Sequence, residues 1–327
     1  MNRREILKSG MGSLLAASAG WPKAADAQAA AWPTKSIRII VPFSAGSATD
    51  LVPRAVFEQV SQQVGQTVIV ENRPAGGGAI GIGAVKQAEA DGHTILVHSN
   101  SFITTPAVQA MAWDPVKDFS GITPLGNVPL VLVASADRKI KTLKEMIAAA
   151  KANPGSLNYA AAGIGSPPHL TMERFRLAAG FTGQLVPFRG APEALTEIMA
   201  GRVDVYFCPI TPALPLIQSG KLVALAVSST IRASALPDVP TTVQAGFPNS
   251  DFDFWIGAMV RKETPRPIVA AIHAETLKAL NHPTIKERLA KMGVEPLIET
   301  TAVFDARIAR ETPIAEELAK AAGIAKK

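Results

Sequence analysis

Short apolar runs alternate with amphipathic stretches along almost the whole chain. Ile37–Val41 is too short for a buried helix and is rich in β-branched residues, so it reads as a strand. A small-residue loop at Pro42–Ala48 follows, then a helical pattern from about Asp50 to Val64. Thr67–Val70 is predicted as a strand, Asn72–Gly78 as a loop, Ala79–Ala90 as a helix and Thr94–His98 as a strand. This βαβαβ order predicts a parallel sheet with helices on its faces.

The same order returns further along. Leu157–Ala160 reads as a strand, Ala161–Gly165 as a small-residue loop and Ser166–Ala179 as a helix. Leu185–Pro187, Phe188–Pro192, Glu193–Ala200 and Val203–Phe207 repeat strand, loop, helix and strand. Both halves put an arginine, Arg73 or Arg189, just after a strand and Gly or Pro before a helix. That is two lobes of similar design and not a repeat array. The apolar strands Leu130–Ala134 and Phe254–Val260 read as links between the lobes, with helices at Ile268–Leu280, Ile285–Met292 and Ala302–Ala322 after the second. A chain that crosses twice leaves lobe 1 discontinuous, at 28–130 plus 254–327, and lobe 2 as an insert at 131–253. The expected fold class is α/β, with two lobes hinged on two strands.

The length of 327 residues supports two cores better than one. Aromatics are only 6%, so the apolar content is mostly aliphatic, which suits parallel strands covered by helices. Arg3, Arg4, Lys8 and Lys23 against Glu5 and Asp26 put +2 on residues 1–27, leaving +4 of the +6 formal charge for the rest. No basic block or basic–aromatic stripe stands out, so a nucleic-acid partner is not expected. The lone Cys208 can form neither an internal disulfide nor a cysteine metal cluster and reads as a buried thiol.

The first 27 residues read as an export signal. A basic start, a weakly apolar run from Ser9 to Gly20 and an Ala25-Asp26-Ala27 exit have the required order. Arg3-Arg4 before Ile6-Leu7-Lys8 is similar to a twin-arginine signal, an ordinary secretory signal being the alternative. The run is too short to span a bilayer, so a periplasmic location after cleavage is expected.

Two loops could hold a ligand. Residues 42–50 leave a strand and open a helix, with Gly46 for unusual backbone angles and Ser47, Thr49 or Asp50 as caps. Residues 159–169 do the same, with Ser166 at the cap position and Pro167 behind it. Helix starts carry unpaired N–H groups and positive potential, so two of them facing across a cleft would clamp an anion. The bland alternative is two plain caps. Gly76, Gly78 and Gly81 match a dinucleotide loop, but the next strand ends at His98-Ser99-Asn100 with no acid for a ribose, so no cofactor is expected. Ser166 and His169 lack a nucleophile elbow, and the five histidines show no metal spacing. Neither catalysis nor a metal is expected.

Several islands together carry a resemblance. They include Ile40-Val41-Pro42-Phe43 with Thr49-Asp50, Val70-Glu71-Asn72-Arg73-Pro74, Asp91-Gly92-His93-Thr94 and Asp114-Pro115 with Lys117-Asp118-Phe119. Further along are Asn158-Tyr159 with Gly163-Ile164-Gly165-Ser166-Pro167, then Gly220-Lys221-Leu222, and Ala235-Leu236-Pro237-Asp238-Val239-Pro240-Thr241. In this order they resemble the Bug (Bordetella uptake gene) family, solute receptors of tripartite tricarboxylate transporters. The resemblance implies a type II periplasmic binding protein fold. It also implies a monomer that binds a small carboxylate and serves the membrane subunits of such a transporter, without chemistry. A receptor that signals to a membrane regulator is the alternative. Carried over, the ligand residues are Phe43, Ser44, Ala45, Ser47 and Thr49 in one lobe and Ala161, Ala162, Gly163 and Ser166 in the other. Asp50 is expected to order its loop. Arg189 is a candidate for a second carboxylate, and Trp255 for a place near the cleft. Ala160-Ala161 stands where the family often has Gly-Ser, and Cys208 where a polar residue is common, so part of the pocket should be less polar.

Overall fold

The computed structural model describes residues 32–74, 78–138 and 140–326; the export signal expected at 1–27 lies outside the described residues. Strands β1 (Ile37–Val41), β2 (Val68–Asn72), β3 (Thr94–Ser99), β4 (Phe119–Asn127) and β10 (Trp255–Arg261) form one sheet in the order β2-β1-β3-β10-β4. Strands β5 (Leu130–Ser135), β6 (Leu157–Ala161), β7 (Gly183–Pro187), β8 (Val205–Pro209) and β9 (Leu222–Val227) form a second in the order β7-β6-β8-β5-β9.

The two sheets share one plan. In each, three parallel strands come first, then an antiparallel strand, β10 or β5, that arrives directly from the other sheet. The helices are α1 (Ala48–Val64), α2 (Ala79–Gln87), α3 (Ser101–Val108), α4 (Leu143–Ala152) and α5 (Pro167–Ala179), followed by α6 (Ala191–Met199), α7 (Ile210–Gln218), α8 (Arg266–Asn281), α9 (Pro283–Lys291) and α10 (Thr301–Ala321). Helices α1, α8 and α10 pack on the first sheet, and α5, α6 and α7 on the second. Helix α1 shows why it stays: Val52, Ala55, Val56 and Val60 recur at helical spacing and are all buried.

Leu130–Ala134 and Phe254–Val260, expected as links, are buried, and all but Phe254 are members of one sheet each. The passages lie just before them, at residues 128–129 and 228–254. They run side by side, with Val128 N donating to Phe254 O at 2.7 Å. Strand β4 is absent from the sequence reading because Gly121, Pro124 and Gly126 interrupt its apolar pattern. Its ladder to β10 is irregular there, as bulges permit. Tertiary packing also explains a glycine: a Cβ on Gly257 of β10 would stand 2.4 Å from Phe304 Cζ of α10, so only a bare backbone lets that ring lie flat on the sheet.

Candidate functional site

Both candidate loops follow the first parallel strand of a sheet, at the carboxyl end where open α/β sheets leave a crevice. In the first lobe the loop between β1 and α1 is braced by Asp50, which is 2% exposed. Its carboxylate accepts from Gly46 N at 2.9 Å, Arg54 Nε at 2.8 Å and Asn72 Nδ2 at 2.9 Å. Asn72 Nδ2 also donates to Phe43 O at 3.0 Å. A buried charge with that many donors is compensated, and it orders the loop as expected. Ser47 holds the cap position in extended backbone, but its hydroxyl makes no capping bond and has no partner among the described residues. Behind it, Ala48 and Thr49 open the helix, where N–H groups have no intrahelical acceptor.

The second loop, between β6 and α5, is built differently. Ser166 Oγ donates to Gly163 O at 2.7 Å, so its only hydroxyl hydrogen is committed. Pro167 and Pro168 occupy the first two helical positions and carry no N–H. The expected pair of matching helix starts is therefore unequal: α1 offers free amides and α5 offers almost none. Gly165 N donates to His169 Nδ1 at 3.1 Å, so that ring is neutral with its hydrogen on Nε2. Burial pushes the His169 pKa down. Ser166 and His169 each bond elsewhere, which leaves no nucleophile–base pair.

The lobes touch across the crevice. Thr104 Oγ1 donates to Gly165 O at 2.7 Å, and Ser44 Oγ to Arg189 O at 3.4 Å. Val108 and Leu170 share a small apolar cluster with Ala315 and Ala319 of α10. Gly165 has φ +77°, and a Cβ there would stand 2.3 Å from Val108 Cγ2, so the contact needs glycine twice over.

Between the lobes lie two adjoining cavities. The outer one, about 180 Å³, is walled by Pro42, Phe43, Ser101 and Thr105 on one side and Gly163, Phe188 and Arg189 on the other. The inner one, about 20 Å³, is walled by Ser47, Thr49 and Ser99 against Pro168, Gly190 and Tyr206, with Phe254 from the passage. Phe43, Ala162 and Ser166 line both. Phe43 is held edge-on against His98, with ring centroids 5.1 Å apart. His98 is fully buried and neutral: Nδ1 donates to Ser99 O at 2.9 Å, and desolvation lowers its pKa to about 4. Among the described residues, Arg189 is the one charged side chain on either lining. Hydroxyls, the amides at the start of α1 and one cation, set among aromatic and proline rings with no carboxylate, suit an anion with an apolar body.

The structure brings most of the expected residues together, but not all. Ala45 is exposed and lines neither cavity, and Ala161 ends β6 behind the loop, where its carbonyl accepts from Phe188 N. Trp255 is corrected outright: it is fully buried in the first lobe, its Nε1 donates to Glu311 Oε2 at 2.8 Å, and its ring packs against Phe304. An indole on that face of β10 finds both apolar contact and an acceptor under α10. Its neighbour Phe254 reaches the cavity instead. Ser99, Ser101, Thr105 and Tyr206 escaped the sequence reading; the first two lie at and just past a parallel strand's carboxyl end, which was a usable signal. The described residues contain no metal-binding cluster and no helix long and apolar enough to cross a membrane. Cys208 is buried, which pushes its thiol pKa well up.

Three solved structures share this architecture. The periplasmic binding protein BugD is 31% identical, with a TM-score of 0.85 over 90% of this chain and 100% of its own. Rpa4515 of R. palustris, solved with adipate, is 27% identical, with a TM-score of 0.87 over 91% of this chain and 100% of its own. MatC (Rpa3494) of Rhodopseudomonas palustris, solved with bound malate, is 29% identical, with a TM-score of 0.82 over 88% of this chain and 99% of its own. The two-lobed binding-protein fold expected from the sequence is thus the fold observed. Residues 52–324 match the family described as "Tripartite tricarboxylate transporter family receptor", a family of solute receptors and not of enzymes. The chain belongs to that family.

Proposed function

We propose that this protein captures a small carboxylate between its lobes in the periplasm and delivers it to the membrane subunits of a tripartite tricarboxylate-type transporter. The observation that carries the reading is the convergence of two loops, Phe43–Thr49 from one lobe and Ala162–Ser166 from the other, on one pair of adjoining cavities. The relatives solved with adipate and malate support a diacid as ligand. One carboxylate then meets the Ala48 and Thr49 amides at the start of α1, and the other extends outward toward Arg189. Phe43, Ser47, Thr49, Ala162, Gly163 and Ser166 form the walls, while Ser44 contributes through its contact with Arg189 O. Each sheet with its packed helices is taken as one lobe of a protein acting as a monomer. Binding draws an open–closed balance toward closure about residues 128–129 and 228–254.

Thermal-shift screening of mono- and dicarboxylates tests the reading, because a ligand that binds only the folded state raises the midpoint. At least one dicarboxylate should raise it in a dose-dependent way. A screen in which no carboxylate does so removes the proposal.

A further inference from the structure

The inner cavity holds a feature that the family reading does not use. Two residues on its lining, one from each lobe, carry a hydroxyl that has no partner among the described residues. One is Ser47 Oγ, on a residue 5% exposed at the start of α1. The other is Tyr206 OH, on a residue 0% exposed in the middle of the second sheet, paired to Val133 and Ala160. A buried, unpaired hydroxyl is costly, and most are satisfied. Two such residues on the lining of one cavity of about 20 Å³, with room for about one oxygen atom, are placed to donate to a shared acceptor. The Ala48 and Thr49 amides at the same end supply further donors.

Resting on the carboxylate-capture reading above, we infer that Tyr206 is a specificity-determining residue, its hydroxyl joining that of Ser47 in donating to one carboxylate oxygen at the closed end of the cleft. The chemistry agrees on three counts. Burial raises the Tyr206 pKa well above its ordinary value, so it remains a phenol that donates. Among the described residues no acidic side chain lines the cavity, so no carboxylate there would receive an ammonium group. Tyr206 reaches the ligand from the second lobe, whose own helix start lacks two N–H groups at Pro167 and Pro168. The donor that α5 cannot supply thus comes from a strand side chain.

Tyr206→Phe keeps the ring and removes only the oxygen. With adipate, malate and succinate as probes, titrated calorimetrically, the variant should bind roughly ten- to a hundred-fold more weakly than the parent, the range expected for one hydrogen bond to a charged group. Its ligand-free thermal midpoint should be unchanged or higher, since the oxygen bonds to no protein group. The chain has two tyrosines, and the other, Tyr159, donates to Glu173 Oε1 at 2.6 Å. ¹³C-tyrosine labelling should therefore give two ring signals, of which ligand moves the one that Tyr206→Phe deletes. Equal affinity within about two-fold, or an unmoved Tyr206 signal, overturns this inference and leaves carboxylate capture standing. A lowered ligand-free midpoint overturns it as well, by assigning the hydroxyl to the fold. A parent protein that responds to none of the probes removes the capture reading and this inference together.

Discussion

Asp50 and Glu173 occupy comparable places in the two lobes but brace different things. Each is a buried carboxylate on the helix after the first parallel strand, and each is clamped by an arginine one turn on, Arg54 or Arg176. Asp50 turns its remaining capacity to the ligand loop, through Gly46 N and Asn72. Glu173 turns its own to Tyr159 OH and so ties α5 to β6. The first lobe thus holds a preorganised loop with free donors, Ser47 Oγ and the first amides of α1. The second holds a loop whose donors are already engaged, with Ser166 on Gly163 and Gly165 N on His169. The reason is local chemistry: Pro167 and Pro168 remove N–H groups where Ala48 and Thr49 keep them. Two loops at equivalent places in one topology have become a donor loop and a covering loop.

The largest effect is expected where the halves meet. Gly165→Val would push a side chain into Val108 and prevent closure, lowering affinity by about 100-fold, as a few kcal/mol of overpacking implies. Small-angle scattering should then show no compaction on adding dicarboxylate, and Val108→Ala in the same chain should restore part of it. Full affinity in Gly165→Val would mean that the contact is not needed for binding.

Acid titration comes next. His98 is neutral when folded, with a pKa lowered to about 4 by desolvation, against an unfolded value of 6.5. Between those values the unfolded chain takes up a proton that the folded chain refuses. Stability therefore falls as pH drops from about 6.5 to about 4, by on the order of 3 kcal/mol in total. His169 is lowered in the same direction and adds to the loss below pH 6.5. Urea midpoints measured across this range should decline, and His98→Gln should flatten the slope. An unchanged slope would mean that His98 is solvated.

Asp50→Asn and Glu173→Gln separate the two braces. Each should cost about 1.5–3 kcal/mol of stability through lost charge-assisted bonds. Only Asp50→Asn should also weaken ligand binding beyond that stability cost, as judged by calorimetry well below the unfolding temperature. Equal losses of affinity would erase the distinction between a loop brace and a helix brace.

The smallest pair compares hydroxyls. Ser166→Ala removes a hydrogen bond to Gly163 O and should cost about 1 kcal/mol of stability. Ser47→Ala removes a hydroxyl with no protein partner, so stability should hold while affinity falls about ten-fold. The reverse pattern would make the second loop the donor loop.

Much of this was legible before any coordinates. Ile37–Val41 and Leu157–Ala160 are bounded by loops of small residues, and strand, loop and helix follow from periodicity and caps that neighbours do not alter. The buried Cys208, the loop-ordering Asp50 and the place of Ser47 and Ser166 at helix starts were local matters too. Strand β4, with Gly121, Pro124 and Gly126, has no such pattern of its own and exists because β10 and Phe304 lie against it.

What the residue order determined on its own was therefore the set of elements with strong periodicity and the loops that join them. Only the tertiary structure decided which parts of those loops face each other. That depends on the chain passing between sheets at residues 128–129 and 228–254, segments about a hundred or more positions apart that no window of sequence contains. It turned Trp255 inward to Glu311, left Ala45 in solvent and put Tyr206 and Ser47 on the lining of one cavity. A side chain's role at such a site comes from what packs around it, and here those neighbours come from another part of the chain.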